Sequence, residues 1–271
     1  MRRVNSMIFT IVIYIVAFLY FFPVLWIFIT GFKTEAEAAV IPPSFIFEPI
    51  MKNFQTVWDQ GVLHFLFNSA IVSSVSTLLS LLLGIPAAYA LSMYKLKREN
   101  DILFWFISTR FLPIAGVIIP LFLVFRSINL LDTIWVLILV YAGMNTPLVI
   151  WMMRSFFKDI PYSLIEAAQV DGASGSKTFF SIVLPVVKTG LVSTLLLCMV
   201  FSWNEFFFAL TLTYIDAQTM PVYMSAFMNQ QGLFWAKMCA SASFAILPVL
   251  ILGWFSQKQL VRGLTMGAVK G

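Results

Sequence analysis

The sequence predicts an all-α integral membrane protein: six transmembrane helices, with a cytoplasmic helix–turn–helix between spans 4 and 5. Three observations carry this. Apolar residues make up 61% of the 271 positions and charged residues only 11%, with mean hydropathy +0.93. A soluble domain of that length cannot hide so much apolar surface. The apolar residues gather in six stretches, about 7–31, 68–93, 102–125, 133–153, 188–212 and 239–261, each long enough to cross about 30 Å of hydrocarbon. Between the fourth and fifth stretches lies a polar segment, 154–187, with helix start and stop signals of its own. No internal repeat and no Ser- or Gly-rich linker divides the chain, so residues 1–271 read as a single transmembrane domain.

Charge orients the spans. With the N-terminus inside, the inner segments hold Arg2, Arg3, Lys95, Lys97, Arg98, Arg154, Lys158, Lys177, Lys188, Lys258, Arg262 and Lys270, twelve in all. The outer segments hold four: Lys33, Lys52, Arg126 and Lys237. That bias follows the positive-inside rule and sets both termini in the cytoplasm. The first span follows Met1-Arg-Arg, as a secretory signal would. Its apolar core is far longer than the 7–15 residues of a signal, so it reads as a retained anchor. Prolines 23, 86, 113, 120, 147 and 248 fall inside spans, which suits kinked helices in a bundle that changes shape.

The outer segment 32–67 carries Phe45, Phe47, Phe54, Trp58, Phe65 and Phe67, side chains suited to the interfacial belt. His64 is the one histidine, so no histidine-based metal site is expected. Cys198 and Cys239 fall at different depths, about 20 Å apart along the helices, and read as packing residues rather than a bridge. No long Lys/Arg run exists, which excludes nucleic acid as a partner. The spans offer no Ser–His pair and no metal-spaced acid cluster, so no catalytic residue is expected.

In segment 154–187, Pro161 can open a helix, Ser163-Leu-Ile-Glu166 has capping-box spacing, and Asp171-Gly172 breaks the helix. Ser174 or Ser176 caps a second helix through Val183, and Pro185 marks re-entry to the membrane. Gly172-Ala-Ser-Gly-Ser-Lys-Thr178 is not a phosphate loop: Ser176, not glycine, precedes Lys177, and the element before it is helical rather than a strand.

The same segment resembles the EAA signature of permease subunits of binding-protein-dependent ABC importers. The matched residues are Glu166, Ala167, Ala168, Gly172, Ile182, Leu184 and Pro185, with Asp171 beside them. Asn68-Ser69, Gly84 to Ser92, Arg110-Phe-Leu-Pro113, Trp203-Asn204-Glu205 and Arg262 to Gly271 extend the resemblance, nearly over the whole chain, to the carbohydrate, maltose-type branch.

That resemblance implies a transmembrane subunit of an ATP-driven importer for a sugar or polyol, in a bacterial or archaeal cytoplasmic membrane. The inner loop would be a coupling helix docked on a separate ABC ATPase dimer, which binds ATP and Mg; this chain itself would need no cofactor. Glu166 would supply a charged contact, Ala167 and Ala168 close approach, and Gly172 the turn. Two grooves in the ATPase pair imply a second permease, by resemblance a related chain, although a homodimer also satisfies the geometry. A periplasmic or extracellular solute-binding protein would meet the outer loop between spans 5 and 6, where Tyr223, Asn229 and Gln230 are candidate contacts. The C-terminal tail resembles the family's tail between the ATPase subunits, and reads equally as a basic end that fixes orientation.

Arg110 and Glu205 are the charges within spans, and such groups need a partner or a cavity. They either pair with each other, setting helix packing, or line a translocation path with Asn204, where Trp203 either stacks on a sugar or packs. The competing function is a stand-alone carrier driven by an ion gradient. Such carriers show internal repeats and coupling acids, and here Glu205 is the one span acid and no repeat is found.

Overall fold

The computed structural model describes residues 2–94, 96–229 and 232–265. Helix α1 (Arg2–Thr30) leads into a short α2 (Glu35–Ala39). Thr34 caps α2 reciprocally with Glu37: the Thr34 hydroxyl accepts from the Glu37 N–H, and the Glu37 carboxylate accepts from the Thr34 N–H. Helix α3 (Lys52–Asp59) follows, then the 32-residue α4 (Val62–Met93), which starts six residues earlier than the expected second span.

In the stretch expected as the third span, the kink read from Pro113 is a full break. The stretch is two pieces, α5 (Glu99–Thr109) and α6 (Ile114–Ser127), bent by 84° at Arg110–Pro113. Pro113 has no N–H and disfavours α geometry at Leu112, so the turn must stop there. Helix α7 (Ile134–Lys158) is unbroken and capped by Thr133.

The polar segment begins with α8 (Tyr162–Val170). A second helical stretch then runs as α9 (Gly175–Lys177), a wider π-turn region (Thr178–Val183) and α10 (Leu184–Val186). It meets α11 (Lys188–Trp203) at 77°. The expected fifth span, 188–212, is also broken: α11 ends at Trp203 and α12 (Phe207–Leu212) resumes after Asn204–Phe206. The Asn204 side chain donates to the Val200 carbonyl at 2.8 Å, competing for the last turn. Helix α13 (Met220–Ser225), a two-stranded hairpin of β1 (Met228–Asn229) and β2 (Gly232–Leu233) paired antiparallel, and α14 (Trp235–Thr265) complete the chain.

Among the described residues, four helices are long and apolar enough to cross a membrane, or six if each bent pair makes one crossing. The apolar length of α1 is exposed from Phe9 to Pro23, half-buried over Val24–Ile27 and buried at Thr30.

The chain forms two compact units. One comprises the chain up to Leu66 and Met220–Pro248. Its core is Val57, Val62, Met220, Tyr223, Phe227 and Ala240. Lys33 is buried here: its Nζ donates to the Ser44 carbonyl at 2.6 Å and sits 4.1 Å from the Trp26 ring centroid. The aromatic face offsets part of the cost of removing the ammonium from water. Glu35 accepts from the Ala236 and Lys237 N–H groups, a negative charge at the N-terminus of α14.

The other unit comprises Phe67–Thr219 and the chain from Val249. Leu81, Ile85, Val149, Met153, Phe157 and Val183 centre its core. Buried small polar side chains join its helices: Asn145 donates to Ser202 at 2.8 Å, Ser76 to Ser202 at 3.2 Å and Ser80 to the Ala142 carbonyl at 3.2 Å. Such bonds average about 0.6 kcal/mol each in a bilayer. At one end, Glu99 bonds Arg154 and lies 3.6 Å from Lys158, tying the start of α5 to the end of α7. Both cysteines are free thiols.

Candidate functional site

The elbow of Tyr162–Val186 is held by its own sequence. Helix α8 starts at Tyr162 with Pro161 at the cap, two residues before the expected Ser163 box, so that box does not form. Ile165 and Ala168 face the core, where Ile165 packs with Val183 and Phe157. Burying an Ile or Val fully contributes about 1.5–3 kcal/mol. Glu166, Ala167 and Val170 face outward and are exposed. The helix ends in a Schellman turn: the Gly172 N–H donates to the Gln169 carbonyl and the Ala173 N–H to the Ala168 carbonyl. Gly172 has φ +75°, the left-handed position this turn requires. Asp171 is the exposed C-cap. Ser174 caps the next stretch, accepting from the Lys177 N–H. Ile182 and Leu184 are half-buried and Pro185 is exposed. The seven signature residues thus form one bracket: Ala168 faces inward, Glu166 and Ala167 outward, and Gly172 makes the corner.

The second candidate site is the pair of helix breaks. The Glu205 carboxylate accepts the Tyr141 hydroxyl at 2.7 Å and the N–H groups of Phe208 and Ala209 at 3.0 and 3.2 Å. It therefore restarts the chain as the cap of α12. Arg110 lies elsewhere, its guanidinium carbon 5.3 Å from the Phe201 ring centroid. The Arg110–Glu205 pair left open by the sequence does not form. One guanidinium nitrogen of Arg110, Nη1, is buried with no hydrogen-bond partner. Arg110 lines a cavity of about 350 Å³ with Thr109, Leu139, Gly143, Met144 and Phe208. Trp203 is buried and packs, so its stacking role is not supported by this geometry, whereas Asn204 is exposed.

The outer-loop candidates separate. Tyr223 is buried, stacked on Phe65 at 4.4 Å, with its hydroxyl donating to Gln60 Oε1 at 3.0 Å. It is a packing residue here, not an exposed contact; burial pushes its phenol up from the ordinary value. The physical reason is that Met220–Ser225 folds as a helix and turns Tyr223 inward. Asn229 ends β1 at the tip of the hairpin. Gln230 and the tail 266–271 lie outside the described residues.

Sequence reasoning missed Tyr141 as the partner of Glu205, and the cavity. It also missed Asp132, between α6 and α7. Its two carboxylate oxygens accept the N–H groups of Tyr214, Ile215, Asp216 and Ala217 at 3.0–3.2 Å. Burial raises its pKa and the four N–H bonds pull it down, leaving it below the ordinary value. A local signal for the cavity was Gly143, a glycine inside α7.

Residues 80–261 match the family model described as binding-protein-dependent transport system inner membrane component. The chain is similar to a probable ABC transporter permease protein of Sinorhizobium fredii, 36% identical over 99% of this chain and 97% of that protein. It is 31% identical to a trehalose/maltose transport system permease protein of Thermococcus litoralis, over 95% of this chain and 94% of that one. The fold resembles a chain from the crystal structure of a bacterial ABC transporter involved in import of the acidic polysaccharide alginate. That match has TM-score 0.72 and 24% identity, over 94% of this chain and 96% of that one.

Proposed function

The chain belongs to the family of binding-protein-dependent transport system inner membrane components and is an ABC importer permease; from that premise we propose that it is a transmembrane subunit of an ATP-driven importer for a sugar or polyol. The trehalose/maltose relative supports the cargo class. In this reading each bent helix pair makes one crossing, giving six spans in a single permease domain with both termini cytoplasmic. A second, related permease completes the path, an ABC ATPase dimer binds ATP and Mg, and a solute-binding protein delivers cargo to the outer face near Asn229 and Gln230.

The observation that carries the proposal is the elbow. Glu166 and Ala167 stand exposed on a short helix whose other face is packed and whose far end is locked by the Gly172 turn. Such a bracket can take a push at its outer face and pass it to the core formed with α4 and α7. Glu166, Ala167, Ala168, Asp171, Gly172, Ile182, Leu184 and Pro185 are the coupling residues, and the bundle is a two-state device biased from its cytoplasmic end. Arg110 and Asn204 belong to the path; Glu205 and Trp203 shape it by capping and packing.

Replacing Gly172 with tryptophan tests this. An added Cβ meets nothing within 4 Å, but the residue is held at φ +75°, so any side chain strains the turn itself. The expected result is retained membrane insertion, continued ATP hydrolysis by the assembled transporter and loss of uptake. Undiminished uptake contradicts the coupling role.

A further inference from the structure

We infer that the cavity beside Arg110 is a cargo-binding subsite in this chain, taking one saccharide or polyol unit whose oxygen accepts from the guanidinium. The inference rests on the sugar-import reading and adds where, in this subunit, the cargo is held.

Three observations carry it. The first is a charge without an acidic partner among the described residues. Arg110 sits at the Arg110–Pro113 break; Phe201 covers the guanidinium, and Nη1 is buried and unsatisfied. Buried donors are nearly always paired, and a charge inside a membrane bundle faces a partner or a cavity. Glu205, the acid that answers it in sequence, is occupied by Tyr141, Phe208 and Ala209. The second is space: about 350 Å³ lies at the low end of the ~300–1,000 Å³ range of small-molecule pockets. Its walls are mostly apolar, with Thr109 and Arg110 as polar exceptions, which suits the apolar face of a sugar ring and one directed hydrogen bond.

The third is Gly143, near the middle of α7. Glycine there costs helix stability relative to alanine. Gly84 and Gly190 have a packing reason: an added Cβ would lie 2.6 Å from Val149 or 2.3 Å from Phe156. At Gly143 an added Cβ meets nothing within 4 Å. What glycine preserves at this position is volume, and Gly143 lines the cavity.

The test uses the complete transporter, with ATPase, second permease and binding protein, in proteoliposomes. Trehalose, maltose, glycerol and glucuronate are the probes, and the one best imported by the unmodified transporter is carried forward. Uptake should fall in the order Gly143→Ala, Gly143→Val, Gly143→Phe, with the last down at least tenfold. Arg110→Gln should also lose at least tenfold, and Arg110→Lys should recover part of it. Copurification of the second permease is measured for each variant. Gly143→Phe importing as well as the unmodified protein overturns the subsite. So does Arg110→Gln shedding the second permease, which would assign the guanidinium to an interchain pair. If the unmodified transporter imports none of the four probes, the sugar reading itself fails, and the subsite with it.

Discussion

The elbow and the paired helix breaks both interrupt helices, and they differ in how far the interactions that hold them reach along the chain. At the elbow, the orphaned carbonyls of α8 are taken by N–H groups two to five residues on, and the underside is sealed by Ile165 and Ala168. At the breaks, the local cap that Glu205 makes with Phe208 and Ala209 is joined by side chains from far along the chain: Tyr141 reaches Glu205, and Phe201 covers Arg110. The elbow leaves no polar atom buried without a partner at its corner, whereas the breaks leave Arg110 Nη1 unsatisfied. A locally satisfied bracket suits the proposed lever, and a break that also relies on distant side chains and leaves a donor unmet suits the proposed path.

The sharpest way to break this comparison is to hollow the elbow. Ile165→Ala removes its buried anchor and should destabilise the detergent-solubilised protein by about 2–4 kcal/mol, seen as a lower melting temperature. A null effect would mean the elbow is not seated on the core. Next comes Glu205→Ala, which strands the Tyr141 hydroxyl and two N–H groups at the start of α12. The expected cost is about 1–3 kcal/mol, with Glu205→Gln costing less because it keeps an acceptor. Equal losses for the two would show that charge rather than acceptance holds the break. Gly172→Ala forces a Cβ into the left-handed region and should cost about 1–2 kcal/mol, read by the same melts. No loss would mean the turn relaxes.

The smallest effect is expected at Asp132. Its folded pKa lies below the unfolded value of about 3.9. Its contribution is therefore complete above the unfolded pKa and is lost as pH falls through the folded one. The unmodified protein should lose melting temperature below about pH 4 relative to Asp132→Asn, while the two curves run parallel near neutrality. Parallel curves throughout would show that the four N–H bonds are not made in solution.

What could be read from the sequence follows the same division. Helical content, the elbow and its corner were legible because their causes are local: apolar runs, Asp171-Gly172, a serine cap at Ser174. Pro161 did open α8, and the Ser163 box did not form because the helix had already started at Tyr162, behind a proline cap that makes no side-chain bond. The breaks were not legible. Pro113 announced a kink, yet nothing near Glu205 in the chain points to Tyr141, 64 positions away. Tyr223 looked like an exposed polar contact until Phe65 and Gln60, far earlier in the chain, claimed it. Asp132 was invisible for the same reason, since its donors lie more than 80 residues on.

The central claim, that the exposed face of α8 presses on a separate ATPase subunit, is tested most directly by photo-cross-linking. A benzophenone amino acid placed at Ala167 in the assembled transporter, illuminated in native membranes, should give a covalent adduct to the ATPase subunit. Adducts to lipid alone, with the ATPase present and hydrolysing ATP, would contradict the account.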